Sequence, residues 1–152
     1  MSNAAIAIAC DHAGLALKRD LVSTLEATGF TVMDLGAYDE QRVDYPDYAD
    51  ALAGALRQGP CERGVLICGT GIGISIAANR HAHVRAALCH DATTARLARE
   101  HNDANVLVLG ARTIGTEVAK DCLASFLHTP FAGGRHAGRV AKLNRLRSTS
   151  PA

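Results

Sequence analysis

No apolar run in this sequence approaches the 18 or more residues that a membrane helix needs, so nothing in it is expected to span a bilayer. The opening MSNAAIAIAC lacks the basic flank and long apolar stretch of a signal peptide. No CxxC pair occurs among the five cysteines, Cys10, Cys61, Cys68, Cys89 and Cys122. Their odd number and scattered spacing fit reduced thiols in a cytoplasmic protein rather than a disulfide framework, and with the histidines they show no zinc-ligand spacing. Prolines number only 4, and 20% charged residues against 48% hydrophobic exclude disorder for most of the chain. Acid is missing altogether from residues 133–152, which carry Arg135, Arg139, Lys142, Arg145 and Arg147 for a net +5. Residues 1–132 hold 11 Lys and Arg against all 15 Asp and Glu, a net −4 that the overall +1 conceals.

The 152 residues suit one domain, long enough to bury roughly 68–70% of its unfolded surface. Short β-prone runs alternate with longer segments of helical period, the pattern of βαβ units and a parallel sheet. Strands are expected at Ala5–Cys10, Phe30–Leu35, Val65–Ile67, Val84–Leu88 and Val106–Leu109. Leu17, Leu21, Val22 and Leu25 mark a helix that Gly29 caps, and Pro46 starts a second, closed by Gly59-Pro60. Further helices are expected near 92–101 and 116–127, the latter with Val118, Cys122, Leu123 and Phe126 on one face. The fold class is therefore α/β, with a mostly parallel sheet of about five strands. Residues 1–132 read as the core. Residues 133–152 read as a basic helical tail of the same domain, with Val140, Leu143 and Leu146 on its apolar side.

In open parallel sheets, ligands bind beyond the carboxyl ends of the strands. Those ends are polar here: Cys10-Asp11-His12-Ala13-Gly14, Cys68-Gly69-Thr70-Gly71-Ile72-Gly73, Cys89-His90-Asp91 and Gly110-Ala111-Arg112. The glycine loop offers backbone N–H groups to an anion, either a phosphate or a developing oxyanion; glycines needed only for tight packing are the plainer alternative. It lacks the Gly-Lys-Ser/Thr ending of a P-loop and the dinucleotide glycine spacing, which disfavours a nucleotide. Cys68 heads the loop where N–H donors favour a reactive thiol, and Ile74 stands where a thiol phosphatase would need its arginine. The other four cysteines read as small buried hydrophobes. His101 closes a helix within reach of a cleft if its loop folds inward, a suitable group for moving protons near neutral pH. Arg135 and Arg139, four residues apart, share a helical face suited to a dianionic phosphate. A nucleic-acid patch is disfavoured because the tail has no aromatics and the body is acidic.

These blocks, with Tyr45-Pro46-Asp47, Ala77-Ala78-Asn79, His101-Asn102-Asp103-Ala104-Asn105 and Gly133-Gly134-Arg135-His136, resemble type B ribose-5-phosphate isomerase. That group also holds the galactose-6-phosphate isomerase subunits, and the match covers nearly the whole chain. The resemblance implies a Rossmann-like α/β/α sandwich that forms a homodimer with shared active sites, leaving open whether dimers pair into tetramers. It implies no metal and no organic cofactor, and interconversion of ribose 5-phosphate and ribulose 5-phosphate through a cis-enediolate.

By resemblance Cys68 carries the proton between C2 and C1, the role a glutamate at the place of Ile74 takes in some relatives. His101, with Asp11, opens the furanose ring, and Thr70 assists near Cys68. Asn102 and the amides of Gly69, Gly71 and Gly73 hold the charged oxygen of the intermediate. His12, Arg112, Arg135 and Arg139 bind the 5-phosphate, and Tyr45 lines the sugar site. The phosphate thus moves from the glycine loop to the basic groups, and the loop amides serve the charge that appears in the transition state. Two alternatives stand beside this reading: an isomerase of a six-carbon sugar phosphate such as allose or galactose 6-phosphate, and a non-catalytic sugar-phosphate sensor.

Overall fold

Leu17, Leu21 and Leu25 recur every fourth residue, and in the computed structural model, which describes residues 5–145, they form the buried face of α1 (Leu15–Ala27). Gly29 follows in the left-handed region at φ +91°, as its place after the helix requires. Around α1 the chain runs β1 (Ala5–Cys10), a 3-10 turn (His12–Gly14), then β2 (Thr31–Asp34), α2 (Tyr45–Gln58) and β3 (Cys61–Cys68). It continues through α3 (Ile72–Ala78), β4 (Ala86–Leu88), α4 (Ala92–Asn102), β5 (Val106–Gly110), α5 (Thr116–His128) and α6 (Arg135–Leu143).

All strand pairs are parallel, in the order β2-β1-β3-β5-β4. Alternation along the central strands sorts side chains into two cores. Ile6, Ile8, Val65, Ile67, Leu107 and Leu109 face α1, α4 and α5, whereas Ala7, Ala9, Leu66, Cys68, Val106 and Val108 face α2 and α3. The result is a three-layer α/β/α sandwich. Leu21, Leu25 and Phe126 are fully buried, each worth about 1.5–3 kcal/mol.

Several boundaries differ from the sequence reading. β3 begins at Cys61, four residues before the apolar run, because Arg63 and Gly64 continue the pairing with β1. β4 is reduced to three residues, with Val84 buried in the turn before it. On α5 the core stripe is Ala119, Cys122, Leu123 and Phe126, and Val118, one position round the helix, is 38% exposed. On α6 only Val140 is buried; Leu143 is 58% exposed, and Leu146 lies outside the described residues.

At the free edge of the sheet, the Asn79 carboxamide acts as a substitute strand. Its Nδ2 donates to the Ala86 carbonyl at 2.9 Å, and its Oδ1 accepts the Ala86 N–H at 2.8 Å. Among the described residues, no helix is long and apolar enough to cross a membrane.

Candidate active site

The helix after β1 and the helix after β3 pack on opposite faces of the sheet, although β1 and β3 are neighbours. A crevice therefore opens beyond their carboxyl ends, the switch point where α/β folds take ligands. Asp11 and His12 lie on one bank. The Asp11 amide donates to the Ile67 carbonyl at 3.2 Å, and its buried carboxylate accepts the Ala13 N–H at 3.0 Å. His12 is held through Nδ1, which accepts the Val43 N–H at 3.2 Å.

Cys68 and the glycine loop form the other bank. Cys68 is 4% exposed, and its Sγ accepts the Gly71 N–H at 3.2 Å. The Gly71 amide, expected to serve a substrate oxygen, is thus directed at the sulfur itself. Thr70 Oγ1 accepts the Ile72 N–H at 3.2 Å. Gly71 has φ +77°, and a Cβ on it would fall 2.4 Å from Leu88 Cδ1 and 3.1 Å from the Leu109 carbonyl carbon. Gly73 has no such backbone demand, but a Cβ there would lie 2.5 Å from Tyr45 Cζ, so the Tyr45 ring covers the start of α3. Arg112 completes this bank: its N–H donates to the Gly69 carbonyl at 2.8 Å, and a Cβ on Gly69 would lie 3.2 Å from its guanidinium. Asp11, His12, Tyr45, Cys68, the glycine loop and Arg112 are therefore one cluster.

His101, Asn102, Arg135 and Arg139 form a second. A helix after a parallel strand runs back against it, so α4 starts at Ala92, just after its cap Asp91 beyond the carboxyl end of β4, and ends at Asn102, before the amino end of β5. The inward-folding loop expected to bring His101 to Cys68 cannot do so within one chain, since the length of β5, on the order of 15 Å, separates the two edges. His101 instead stacks on His136, with ring centroids 4.3 Å apart and planes 16° off parallel. Burial and the positive neighbours His101, Arg135 and Arg139 hold His136 below its ordinary range, and Glu100 opposes them weakly.

Three groups outside the sequence reading brace these clusters. Arg99 is 5% exposed and donates to the Asp103 carboxylate at 2.9 Å, the Ala104 carbonyl at 2.6 Å and the Thr129 carbonyl at 3.2 Å. Arg85 reaches Asp103 Oδ2 at 3.3 Å and Asn144 Oδ1 at 2.9 Å, so Arg85 links the ends of α4 and α6. Lys18 is buried beside the β1 bank. Single-sequence periodicity gives no sign of any of them, because a long cation ordinarily reads as solvated whether on a helix, as Lys18 and Arg99 are, or just ahead of a strand, as Arg85 is.

The remaining cysteines are inert by environment: burial pushes the Cys10 and Cys122 thiols to about 11 and Cys89 to about 12, and raises Cys61. The Asp91 side chain is spent on the α4 cap, where it accepts the Thr94 N–H at 2.7 Å, and the backbone N–H of His90 donates to Thr94 Oγ1 at 3.2 Å. A cavity of about 380 Å³ lies not at Cys68 but beside β4, among Val84, Ala87, Asn102, Ala104 and Leu143.

Residues 6–143 match the family model described as Ribose/Galactose Isomerase. The chain belongs to the ribose/galactose isomerase family. Ribose-5-phosphate isomerase B of Escherichia coli (strain K12) is 45% identical over 141 residues, which are 93% of this chain and 95% of that protein. D-erythrulose-4-phosphate isomerase of Pectobacterium atrosepticum is 44% identical over 91% of each chain. The crystal structure of a ribose 5-phosphate isomerase from Thermotoga maritima superposes with a TM-score of 0.92 at 48% identity, covering 94% of this chain and 99% of that one. As a member of this isomerase family, the chain shares its α/β fold, and the blocks that carry the resemblance lie within the matched residues.

Proposed function

We propose that this protein interconverts ribose 5-phosphate and ribulose 5-phosphate at a site assembled from two copies of the chain. The observation that carries the proposal is the division of the site residues between opposite sheet edges. Each edge holds half of a sugar-phosphate isomerase: a thiol with N–H donors and an acid on one, an imidazole with a pair of arginines on the other. A two-fold dimer that sets the Cys68 edge of one copy against the His101 edge of the other completes two equivalent sites. Ile72 and Ile76, 54% and 61% exposed at helical spacing on α3, give the Cys68 side an apolar face for such a contact.

In this site the imidazole of His101, supplied by the second copy, moves the proton that opens the furanose ring, with Asp11 assisting. Cys68 then takes the proton from C2 while charge develops on the carbonyl oxygen at C1. Asn102 and the amides of Gly69 and Gly73 hold that charge. A proton passes from the C2 hydroxyl to the oxygen at C1 and Cys68 returns its own proton to C1, so the cis-enediolate collapses to the ketose with no net gain or loss of protons or electrons. Arg112 and His12 from one copy and Arg135 and Arg139 from the other bind the phosphate, and Thr70 and Tyr45 border the reacting carbons.

Mixing inactive variants tests the assembly. Cys68→Ala and His101→Ala each abolish turnover alone. Mixed after unfolding and refolding together, they regain about a quarter of wild-type activity, because half the dimers are hybrids with one intact site each. A mixture that stays inactive refutes a shared site. A relative that acts on a four-carbon sugar phosphate shows that chain length varies within the family, so kcat/KM should be compared on four-, five- and six-carbon aldose phosphates. The highest value is expected for ribose 5-phosphate.

A further inference from the structure

Lys18 is the charged residue of α1 that the fold encloses: it is 1% exposed, with its ammonium 2.6 Å from Asp34 Oδ1 and 2.6 Å from the Ala37 carbonyl. It also lies 5.0 Å from the centre of the Tyr38 ring. Taking an ammonium out of water costs several kcal/mol, and a well-packed apolar residue of similar volume is often no less stable, so stability alone is weak reason for a lysine here. What the charge supplies is geometry.

Asp34 Oδ1 accepts the Gly36 N–H at 2.9 Å, and the Tyr38 hydroxyl donates to the Asp34 carbonyl at 2.9 Å. The segment so gathered is tied to the last residue of β1: the Cys10 N–H donates to the Gly36 carbonyl at 2.7 Å, and the Ala37 N–H to the Cys10 carbonyl at 2.8 Å. The next residues of β1's side are Asp11 and His12. The other end of the loop reaches Val43, whose N–H donates to His12 Nδ1 at 3.2 Å, and then Tyr45 at the head of α2. A ring nitrogen that accepts carries no proton, so the His12 imidazole bears its N–H on Nε2.

We propose that Lys18 is a positioning residue, whose buried ammonium fixes the 34–43 loop so that Val43 holds His12 with Nε2–H as its donor toward the substrate phosphate. The proposal rests on the reading of His12 as a phosphate ligand. It makes His12 a directional donor in its neutral form, complementary to the fixed positive charge of Arg112.

The test uses the full chain with two variants, Lys18→Met and the double variant K18M/D34N. The double variant removes both charges, leaves neither uncompensated and keeps an acceptor for the Gly36 amide. Two-bond ¹H–¹⁵N correlation spectra read the His12 tautomer, and steady-state kinetics read KM and kcat on ribose 5-phosphate. Expected are loss of the single Nε2–H form and a rise in KM of about tenfold with kcat changed less than about twofold, since a hydrogen bond to a charged group is weakened without touching Cys68. A folded variant of either kind that keeps the wild-type tautomer and KM overturns the proposal, and the double variant decides if the single one does not fold. Absence of wild-type turnover on ribose 5-phosphate refutes the functional reading instead, and the tautomer spectra still decide the role of Lys18.

Discussion

Gly73 and Gly71 stand two residues apart, and alanine at each has different consequences for stability: nearly none at Gly73 and a clear loss at Gly71. At Gly73 the backbone tolerates a side chain, and what a Cβ meets is the Tyr45 ring, 2.5 Å away at Cζ and 2.8 Å at the hydroxyl. That ring belongs to a side chain of a residue 40% exposed, so it can turn outward into water. The helix gains up to about 1 kcal/mol from replacing glycine by alanine, and the displaced ring gives back a fraction of it. Gly73→Ala is therefore expected to shift the thermal midpoint by no more than about 4 °C in either direction. Turnover falls, because the ring that borders the sugar has moved. At Gly71 an alanine must hold φ +77°, displace Leu88 Cδ1 from 2.4 Å and press on the Leu109 backbone at 3.1 Å, which cannot turn aside as a side chain can. The left-handed backbone alone costs about 1–2 kcal/mol, so Gly71→Ala unfolds at least several degrees lower. Thermal unfolding by circular dichroism and a coupled isomerase assay read both quantities. Gly73→Ala that melts more than about 5 °C low, or that retains full turnover, refutes the assignment of Gly73 to the Tyr45 contact.

Three further outcomes follow from the same geometry. Burial raises the Cys10, Cys89 and Cys122 thiols to about 11, 12 and 11 from an unfolded value of 9.0, so the unfolded chain releases protons first and stability declines as pH climbs from about 9 towards 12; urea midpoints at pH 8 and 10.5 measure the loss, and Cys89→Ala lessens it. His136, held below 6.5 by burial and its positive neighbours, binds protons more readily unfolded than folded, so its share of stability is present above that pH and declines on acidification; its NMR titration midpoint lies below 6.5 and rises in Arg135→Gln. Truncation after Phe131 removes, among the described residues, one buried side chain, Val140, and so is expected to cost the fold only about 1.5–3 kcal/mol while abolishing turnover, as far-ultraviolet circular dichroism and the isomerase assay together measure.

Which parts of the molecule were legible in the sequence depends on range. Periodicity along α1 and alternation along β1 are local, and both elements appear where the spacing placed them. The carboxyl-end motifs were legible because parallel strands send their polar ends to one edge whatever the order of the strands. The position of His101 was not, since it depends on the direction of α4 relative to the sheet and on β5 sitting between β3 and β4, which no window of sequence contains. Lys18, Arg85 and Arg99 were hidden for a related reason. Each is a cation with a partner far along the chain, as with Lys18 and Ala37, Arg85 and Asn144 or Arg99 and Thr129, so its surroundings depend on tertiary contacts. Part of the tail's excess charge resolves into a short helix whose arginines are exposed and whose hold on the body is one buried valine, the His136 ring on His101, Asn144 on Arg85 and the Ala132 amide bonded to the Glu100 carbonyl at 3.1 Å.

The Asn79 carboxamide bears on how copies of this chain can meet. A three-residue parallel strand presents few outward backbone groups, and Ala86, in the first position of β4, has both of its own occupied by Asn79. A strand arriving at that margin finds the first outward donor and acceptor pair of β4 already taken and only that of Leu88 beyond it, which limits any ladder it could form and guards against edge-to-edge aggregation. Association at this margin thus leans on side chains, and the selection of partners passes from backbone hydrogen bonding, which any extended segment satisfies, towards shape and charge, which a second copy of the same chain can satisfy specifically.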